Sequence, residues 1–216
     1  KGGPVLAAVG LFSAIYAIFG ALVEFAERIQ LFRAAPAVSF ARARGLPRSA
    51  FGTLFAHLGI GISLLGIAAE AGWSQERVVA LKSGDRVAIA NFDLSFQGLH
   101  ERTGANWRDQ VGRFEVRRGG VTVAIVEPAK RVYLANNQPT TEAGIATFGF
   151  GQLYVSLGEP MPGGAISARI YWKPIVTLIW LGGVLMAFGG MLSLSDRRLR
   201  IGAPVPARRV VVAPAE

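Results

Sequence analysis

The sequence predicts a membrane protein with three transmembrane α-helices and one small antiparallel β-barrel or β-sandwich domain. Three observations predict this fold class. The chain has 216 residues, of which 51% are hydrophobic, more than in an ordinary soluble domain. Three uncharged stretches come close to the roughly 20 residues that a helix needs to cross a bilayer. Between the second and third stretches, apolar and polar residues alternate with the period of two that is typical of strands.

We expect five segments along the chain. The first helix and a basic cytoplasmic loop occupy residues 1–48, the second helix residues 49–71, and the β domain residues 72–172. The third helix occupies residues 173–196, and a Pro-, Ala- and Val-rich tail, predicted to be disordered, occupies residues 197–216.

The first helix is predicted over residues 4–23. Gly10, Ala14, Ala17 and Ala21 recur along one face, where small side chains allow close helix packing. The basic residues follow the apolar run rather than precede it, so the segment does not have the pattern of a signal peptide.

The loop over residues 24–48 is rich in arginine and contains several phenylalanines. Its arginines are Arg28, Arg33, Arg42, Arg44 and Arg48. Lysine and arginine gather in short cytoplasmic loops, so this loop is predicted to be cytoplasmic, and it has the composition of a segment that lies along the interface. The same rule explains the net charge of +9 without a nucleic-acid partner.

The second apolar stretch contains one histidine, His57, which is the strongest functional clue. At about 1.5 Å per residue from Ser49, its imidazole lies roughly 12 Å into a hydrocarbon core about 30 Å thick. A polar group at that depth needs a partner. Three partners satisfy this need: a haem iron, a proton-relay path, or a neighbouring group such as Thr53. Gly61, one turn later, leaves room for a flat ring or a second helix.

The third stretch, residues 174–195, begins with Pro174 at a first helical position and ends in a basic run. Gly183, Ala187 and Gly190 suggest a second small-residue face. Met186 beside them could bind haem iron, but gap-filling is the more ordinary role of methionine. With the basic loop and tail both cytoplasmic, Trp73 and Trp172 are expected at the opposite interface, and the β domain in the periplasm of a bacterium.

The β domain is predicted to contain about five or six strands. Phe92, Leu94 and Phe96 alternate with polar residues, and Gly119-Gly120 between two apolar runs is typical of a hairpin turn. Residues 153–157 and 166–170 alternate again. The domain has no nucleophile motif, phosphate loop or metal-spaced cluster; His100 is expected at the surface, and Glu127, Glu142 and Glu159 have no acid/base spacing. The chain has no cysteine, which excludes disulfides and thiol chemistry by this chain.

Three stretches in order resemble one family. They are residues 51–59, with Ala56-His57-Leu58-Gly59; residues 127–145, with Glu127-Pro128-Ala129-Lys130-Arg131 and Thr140-Thr141-Glu142; and residues 171–186, with Tyr171-Trp172-Lys173-Pro174. Together they resemble the C-terminal part of the CcmF/NrfE-type cytochrome c haem lyases, over roughly residues 51–198.

The resemblance implies a multi-pass inner-membrane protein that attaches haem covalently to apocytochrome c. It implies a haem b within the membrane, bound by two histidines, one of which His57 matches. It also implies as partners the N-terminal part or a partner subunit of the same lyase, apocytochrome c, a haem chaperone and other cytochrome c maturation proteins.

The tryptophan-rich haem-handling segment and the other histidines of that family have no counterpart here, so the chain is not expected to be active alone and no catalytic residue is assigned. Arg131, Tyr133 and Thr141 fall in the family-like motifs. Stabilising the β domain is the simpler role for each, and Arg131 ranks first for haem contact because arginine binds a propionate in bidentate fashion.

Two other functions remain open from the sequence. One is a non-catalytic membrane scaffold of the cytochrome c maturation complex that docks apocytochrome c. The other is a permease fragment with an extracytoplasmic β domain.

Overall fold

The computed structural model describes residues 4–196. The helices are α1 (Pro4–Ile29), α2 (Pro36–Gly45), α3 (Arg48–Trp73) and α4 (Thr177–Leu194). The strands are β1 (Gln75–Leu81), β2 (Arg86–Ile89), β3 (Phe92–Thr103), β4 (Trp107–Arg118), β5 (Val121–Val126), β6 (Ala129–Tyr133), β7 (Gln138–Glu142), β8 (Gly144–Phe148), β9 (Gly151–Met161) and β10 (Ala165–Lys173). The predicted disordered tail lies outside the described residues.

Three helices within residues 4–196, namely α1, α3 and α4, are long and apolar enough to cross a membrane. The predicted number of transmembrane helices is therefore confirmed. Helix α1 extends beyond the uncharged stretch to Ile29. Glu24 and Arg28 form an ion pair at 2.6 Å one turn apart, which stabilises this last part of the helix. Helix α4 begins at Thr177 rather than at Pro174, because residues 174–176 form a turn in which Ile175 has a φ of +47°.

Helices α3 and α4 meet along a seam of glycines. Gly52, Gly59 and Gly66 recur every seven residues on α3 and face α4. A Cβ at Gly59 would lie 2.6 Å from the carbonyl oxygen of Gly182, and a Cβ at Gly189 would lie 2.6 Å from that of Gly52. The two backbones therefore touch, as small residues allow between helices in a membrane.

The small-residue face predicted for α4 is wrong by one position. A Cβ on Gly183 or Gly190 would meet nothing within 4 Å, whereas Gly182 and Gly189 are buried in the seam. Met186 lies against Gly59, in the gap-filling role that the sequence favoured. The error arose because two neighbouring glycines occur at each position, and composition does not say which of them faces the partner.

Helix α1 packs on another side of α3 through the predicted small-residue face. Ala14 and Ala21 are buried, and a Cβ on Gly10 would lie 3.1 Å from the Cβ of Ala68. Gly61 meets α1 as well, since a Cβ there would lie 2.5 Å from the side chain of Ile18. The expectation that Gly61 makes room for a second helix is confirmed, and the alternative of a flat ring at Gly61 is wrong.

The segment predicted as a loop between the first two membrane helices contains helix α2. Pro36 occupies its first turn, and the φ angles of Gln30 and Phe32 are +54° and +66° in the turn that precedes it. Proline is favoured at the first helical position because its missing N–H is not needed there. The arginine-rich segment is therefore an ordered structure at the junction of α1 and α3.

The ten strands form two antiparallel sheets that pack into a β-sandwich, which confirms the predicted fold class. Sheet A has the order β1-β10-β9-β8, and sheet B has the order β2-β3-β4-β6-β7, with β5 also paired to β4. The predicted hairpin at Gly119-Gly120 joins β4 to β5. The estimate of five or six strands is too low, because β1, β2 and β6 to β8 are short and lack clear alternation.

The core of the sandwich comes from the inward positions of both sheets, including Leu94, Phe114, Val116, Leu153 and Val155. At the end nearest the membrane helices, the ring of Phe92 lies 4.6 Å from Phe148 and 5.1 Å from Trp172. Trp172 thus packs under the sandwich, whereas Trp73 is exposed as a residue at a membrane interface would be.

Polar contacts fix the helix pair at both ends. The carboxylate of Asp196 accepts a hydrogen bond from the backbone N–H of Ser49 at 3.0 Å and so caps the first turn of α3. At the other end, Lys173 of β10 pairs with Glu70 of α3 at 2.8 Å. Near it, the N–H and the hydroxyl of Thr177 both donate to the carbonyl of Phe150.

The seam predicts that substitutions at two neighbouring glycines differ in their effect on stability. Gly182→Val would place a side chain against Ser63 and the backbone of Gly59, whereas Gly183→Val points into open space. We expect Gly182→Val to destabilise the helix pair by about 1–3 kcal/mol, as overpacking does. Thermal unfolding in mild detergent, followed by circular dichroism, measures the difference, and equal midpoints for the two variants would contradict the seam.

Candidate functional site

His57 lies on α3 and is exposed, pointing away from α4. Successive helical residues are about 100° apart, so His57 lies about 160° around the helix from Gly59, which faces α4. The seam therefore places the imidazole on the side of α3 away from α4. Helix α1 packs on that side too, at Gly61 one turn later, and His57 is exposed beside that contact. It lies about 14 Å from the Arg48 end of α3 and about 24 Å from the Trp73 end, at roughly 1.5 Å per residue.

No residue within 4–196 hydrogen-bonds to His57. The hydroxyl of Thr53, one turn earlier, donates instead to the carbonyl of Ser49 at 3.0 Å. The hydrogen-bonding alternative that the sequence left open is therefore not realised by the described residues. An imidazole at this depth in a bilayer still requires a partner.

The surface around His57 is apolar. Ile60 and Ile67 follow it on the outward side of α3 with exposed fractions of 42% and 50%, and Leu64 lies between them, half-buried. His100, the second histidine, is exposed on β3 in the sandwich, as predicted. Within residues 4–196 there is no group of three histidine, cysteine or acidic residues that could hold a metal ion. At this position the described part of the chain therefore offers one iron ligand, the imidazole of His57.

Arg131 lies on β6 and is fully engaged by a carboxylate. Its Nε and Nη2 atoms donate to the two oxygens of Asp109 at 2.8 and 2.9 Å, in the bidentate geometry of arginine pairs. Arg102 donates to the same carboxylate at 3.0 Å. The Asp109 side chain has no exposed surface, while 21% of the Arg131 side chain is exposed. The ion pair therefore belongs to the interior of the domain.

Trp107 covers this ion pair. The guanidinium of Arg131 lies 4.3 Å from the centre of its ring, and that of Arg102 lies 5.6 Å away. Gly104 lies against the indole, and a Cβ there would collide with the ring. Tyr133 stands farther off, 6.0 Å from the Arg131 guanidinium. This geometry fits the structural role that the sequence gave Arg131 and Tyr133 as the simpler alternative.

The charges in the cluster stabilise each other. The hydrogen bonds from Arg131 hold the pKa of Asp109 below its ordinary value, against the opposing effect of burial, and Arg102 adds to the lowering. In return, the hydrogen bond to Asp109 raises the pKa of Arg131 above its ordinary value. Both groups are therefore charged throughout the neutral range.

A cleft of about 360 Å³ adjoins the cluster, where β3, β4 and β6 approach β9. Charged residues of both signs line it, including Glu101, Arg108, Lys130 and Glu159. Lys130 and Glu159 form an ion pair between the two sheets. Glu127 and Glu142 are likewise near basic groups, at 3.1 Å from Arg113 and 3.7 Å from Arg131. Thr141 is exposed on the edge strand β7.

His57 and Arg131 lie far apart. Phe92 and Arg118 mark the end of the sandwich next to the membrane helices, where Arg118 lies 4.4 Å above the ring of Phe92. From Arg118 back to Asp109, β4 covers roughly 30 Å at about 3.3 Å per residue. His57 lies about 24 Å along α3 in the other direction. One haem cannot touch both residues.

Sequence reasoning missed Asp109 and the Glu70–Lys173 pair. Asp109 lies on the same face of β4 as Trp107 and Val111, and this inward position was the available signal for a buried carboxylate. Glu70 and Lys173 are separated by the whole β domain, so only the pairing of β1 with β10 brings them together.

Comparison with known proteins gives consistent matches. A family model described as "CcmF C-terminal beta-sandwich" matches residues 72–174. The chain is 49% identical over 211 residues to the cytochrome c-type biogenesis protein CycK of Rhizobium meliloti (strain 1021), a match that covers 98% of this chain and 31% of that protein. It is 41% identical over 152 residues to the cytochrome c-type biogenesis protein CcmF of Escherichia coli (strain K12), covering 70% of this chain and 24% of that protein.

A solved structure, "Cytochrome c Heme Lyase CcmF", superposes with a TM-score of 0.60 at 18% identity, over 91% of this chain and 35% of that one. At this identity the likeness shows a shared fold. The chain spans about a third of the length of the curated relatives that match most of it.

The buried ion pair predicts how stability depends on pH. Because the folded pKa of Asp109 lies below its ordinary value of 3.8, the pair's contribution is complete above that value and is lost as the pH falls through the folded pKa. We expect Asp109→Asn to destabilise the sandwich at pH 7 by about 3 kcal/mol, because it leaves two arginines without their carboxylate. The stabilities of native and variant protein should converge only at pH values below the folded pKa of Asp109.

Denaturant unfolding followed by tryptophan fluorescence measures both effects. Glu127→Gln is the matched control, since it removes a half-exposed ion pair on the same domain and should cost at most about 1 kcal/mol. Equal losses for the two variants at pH 7 would contradict the buried role of Asp109.

Proposed function

We propose that this chain, which belongs to the CcmF family of cytochrome c-type biogenesis proteins and corresponds to its C-terminal part, contributes His57 as an axial ligand to a haem b within the membrane. It does so as part of a lyase that attaches haem to apocytochrome c. The exposed, unpartnered imidazole on an apolar face of α3 is the observation that carries the proposal.

Physical chemistry favours this role for His57. A neutral imidazole nitrogen is a common iron ligand, and the haem macrocycle is itself apolar. The outward face of α3 offers both requirements, a nitrogen and a flat hydrocarbon surface at Ile60 and Leu64. The glycine seam holds this face rigidly, so the nitrogen is positioned before the haem arrives.

The second ligand has to come from outside this chain. The remaining histidine, His100, is on β3 in the sandwich, whereas His57 is on the membrane helix α3. We propose that the N-terminal part or a partner subunit of the lyase covers the His57 face and completes the coordination. The chain alone then binds haem weakly and is inactive.

The bound haem b would supply electrons to the iron of the haem that is being attached. The chain's own residues hold and orient it: His57 through the iron, and the apolar side of α3 by excluding water. Thioether formation adds the substrate's thiols across haem vinyl groups, so a chain without cysteine is compatible with this reaction.

We propose an inner-membrane location with the sandwich in the periplasm. All five arginines of the α1–α3 connection lie at one end of the membrane helices, and the sandwich is attached at the other end. The positive-inside rule then supports a cytoplasmic connection and a periplasmic domain. In that compartment the sandwich would meet apocytochrome c, a haem chaperone or other maturation proteins.

We assign Arg131 to the fold rather than to haem. Its guanidinium already binds Asp109 in bidentate fashion, so a propionate would have to displace a buried carboxylate. The sandwich thus contributes a surface for partners, while the iron ligand lies in the membrane.

The proposal predicts the loss of a spectrum. We expect the chain, purified in mild detergent with its N-terminal complement, to give a low-spin b-type spectrum in the reduced-minus-oxidised difference. His57→Ala should abolish or strongly weaken it, and added imidazole should restore part of it by replacing the missing ligand.

His100→Ala is the matched control, because it removes the only other histidine without touching α3. A variant at His57 that keeps the full spectrum would refute the axial-ligand role. An assembled complex that contains no haem would favour a non-catalytic scaffold that docks apocytochrome c.

A further inference from the structure

Helix α2 buries a polar residue and exposes its bulky apolar residues, the reverse of a helix on the surface of a soluble protein. Its one buried residue is a serine, Ser39, whose hydroxyl donates to the carbonyl of Gln30 at 3.2 Å. Its bulky side chains face outward, with Phe40 63% exposed and Val38 44% exposed. In water this arrangement would leave large apolar surfaces unburied.

An apolar cup lies between α2 and the end of α1. Pro36, Ser39, Phe40 and Ala43 line it from one face of α2, at the spacing of i, i+3, i+4 and i+7. Ile29, Leu31, Phe32 and Ala34 complete its wall, and its volume is about 350 Å³. Phe32 is 94% exposed although its φ of +66° belongs to the region that favours glycine. The backbone thus presents an aromatic ring to the surroundings.

Four arginines on or next to α2 have no carboxylate partner within residues 4–196. Arg42 and Arg44 flank the lining face of α2, and Arg33 and Arg48 stand at its two ends. None of these four forms an ion pair with a carboxylate of residues 4–196, whereas Arg28 nearby is paired with Glu24. Arg44 lies over the ring of Phe40 at 5.0 Å. At about 100° per residue, Arg42 and Arg44 therefore border the apolar lining face of α2 on its two sides.

The cup lies where the membrane helices end. It follows Ile29, the last residue of α1, and the chain re-enters the membrane at α3 soon after α2. At this level a bilayer presents phosphate groups next to acyl chains. Arginine binds phosphate through two parallel hydrogen bonds, and phenylalanine is favoured on the apolar face of helices that lie in this interface.

We propose that α2 and the turn before it form a binding site for an anionic phospholipid. Its acyl chain would occupy the cup, and its phosphate would bind Arg42 and Arg44. The positive-inside rule requires only that charge be present. A lipid site requires in addition the guanidinium fork and the apolar floor, and the fold supplies both.

The test compares lipids retained by the full chain. The protein is reconstituted in nanodiscs that contain equal amounts of phosphatidylglycerol and phosphatidylcholine, and the lipids that remain bound after detergent extraction are counted by native mass spectrometry. We expect the native chain to retain phosphatidylglycerol selectively. Arg42→Gln with Arg44→Gln should lower this retention on the order of tenfold.

Three further variants distinguish a site from diffuse charge. Arg42→Lys with Arg44→Lys keeps the charge and should retain an intermediate amount, and Phe40→Ser should weaken retention by opening the floor of the cup. Arg108→Gln with Arg169→Gln removes the same charge from exposed positions on the sandwich and should leave retention unchanged. Helix content by circular dichroism checks that each variant folds.

Equal retention of the two lipids by the native chain would overturn the proposal. Full retention of phosphatidylglycerol by the glutamine pair would also overturn it. If the lysine pair retained as much as the native chain, a general attraction to positive charge would replace the specific site.

Discussion

The contact of α3 with α4 through glycines is the constraint on which the rest of the structure depends. Because the backbones touch at Gly52, Gly59 and Gly66, the ends of the two helices are held side by side. β1 follows α3 directly, β10 directly precedes α4, and the two strands pair in register from Gln75 with Trp172. The antiparallel helix pair is thus continued by the first strand pair of sheet A. Helices α4 and α1 pack on opposite sides of α3, and His57 is exposed beside the α1 contact.

The molecule separates two kinds of polar chemistry. Asp109 is held by Arg131 and Arg102 inside the sandwich, and these charges stabilise the fold. His57 has no partner among the described residues and lies in a segment where an unpaired polar group is costly. The ion pair has a structural role that needs no further partner, whereas an imidazole without a hydrogen-bond partner in an apolar segment indicates that something binds it.

The sequence was sufficient for the parts of the fold that periodicity encodes. The three apolar helices, the glycine hairpin and the long strands β3, β4 and β9 have local patterns that need no knowledge of their neighbours. Contacts between distant residues were not accessible in this way. The choice of Gly182 over Gly183 depends on the rotation of a neighbouring helix, and the partner of Arg131 depends on the pairing of β4 with β6. His57 could be found because histidine is rare in an apolar span, but its outward direction could not.

The length of the sandwich sets the distance between its far tip and the membrane helices. Its far tip, at Trp107, stands roughly 30 Å or more along β4 from the end that meets the helices. An extended polypeptide spans at most about 3.3–3.6 Å per residue, so a client gripped at that tip needs about nine residues or more to reach the lipid surface. In the proposed orientation, a client with a shorter free segment could not be held at the tip and reach the membrane at the same time.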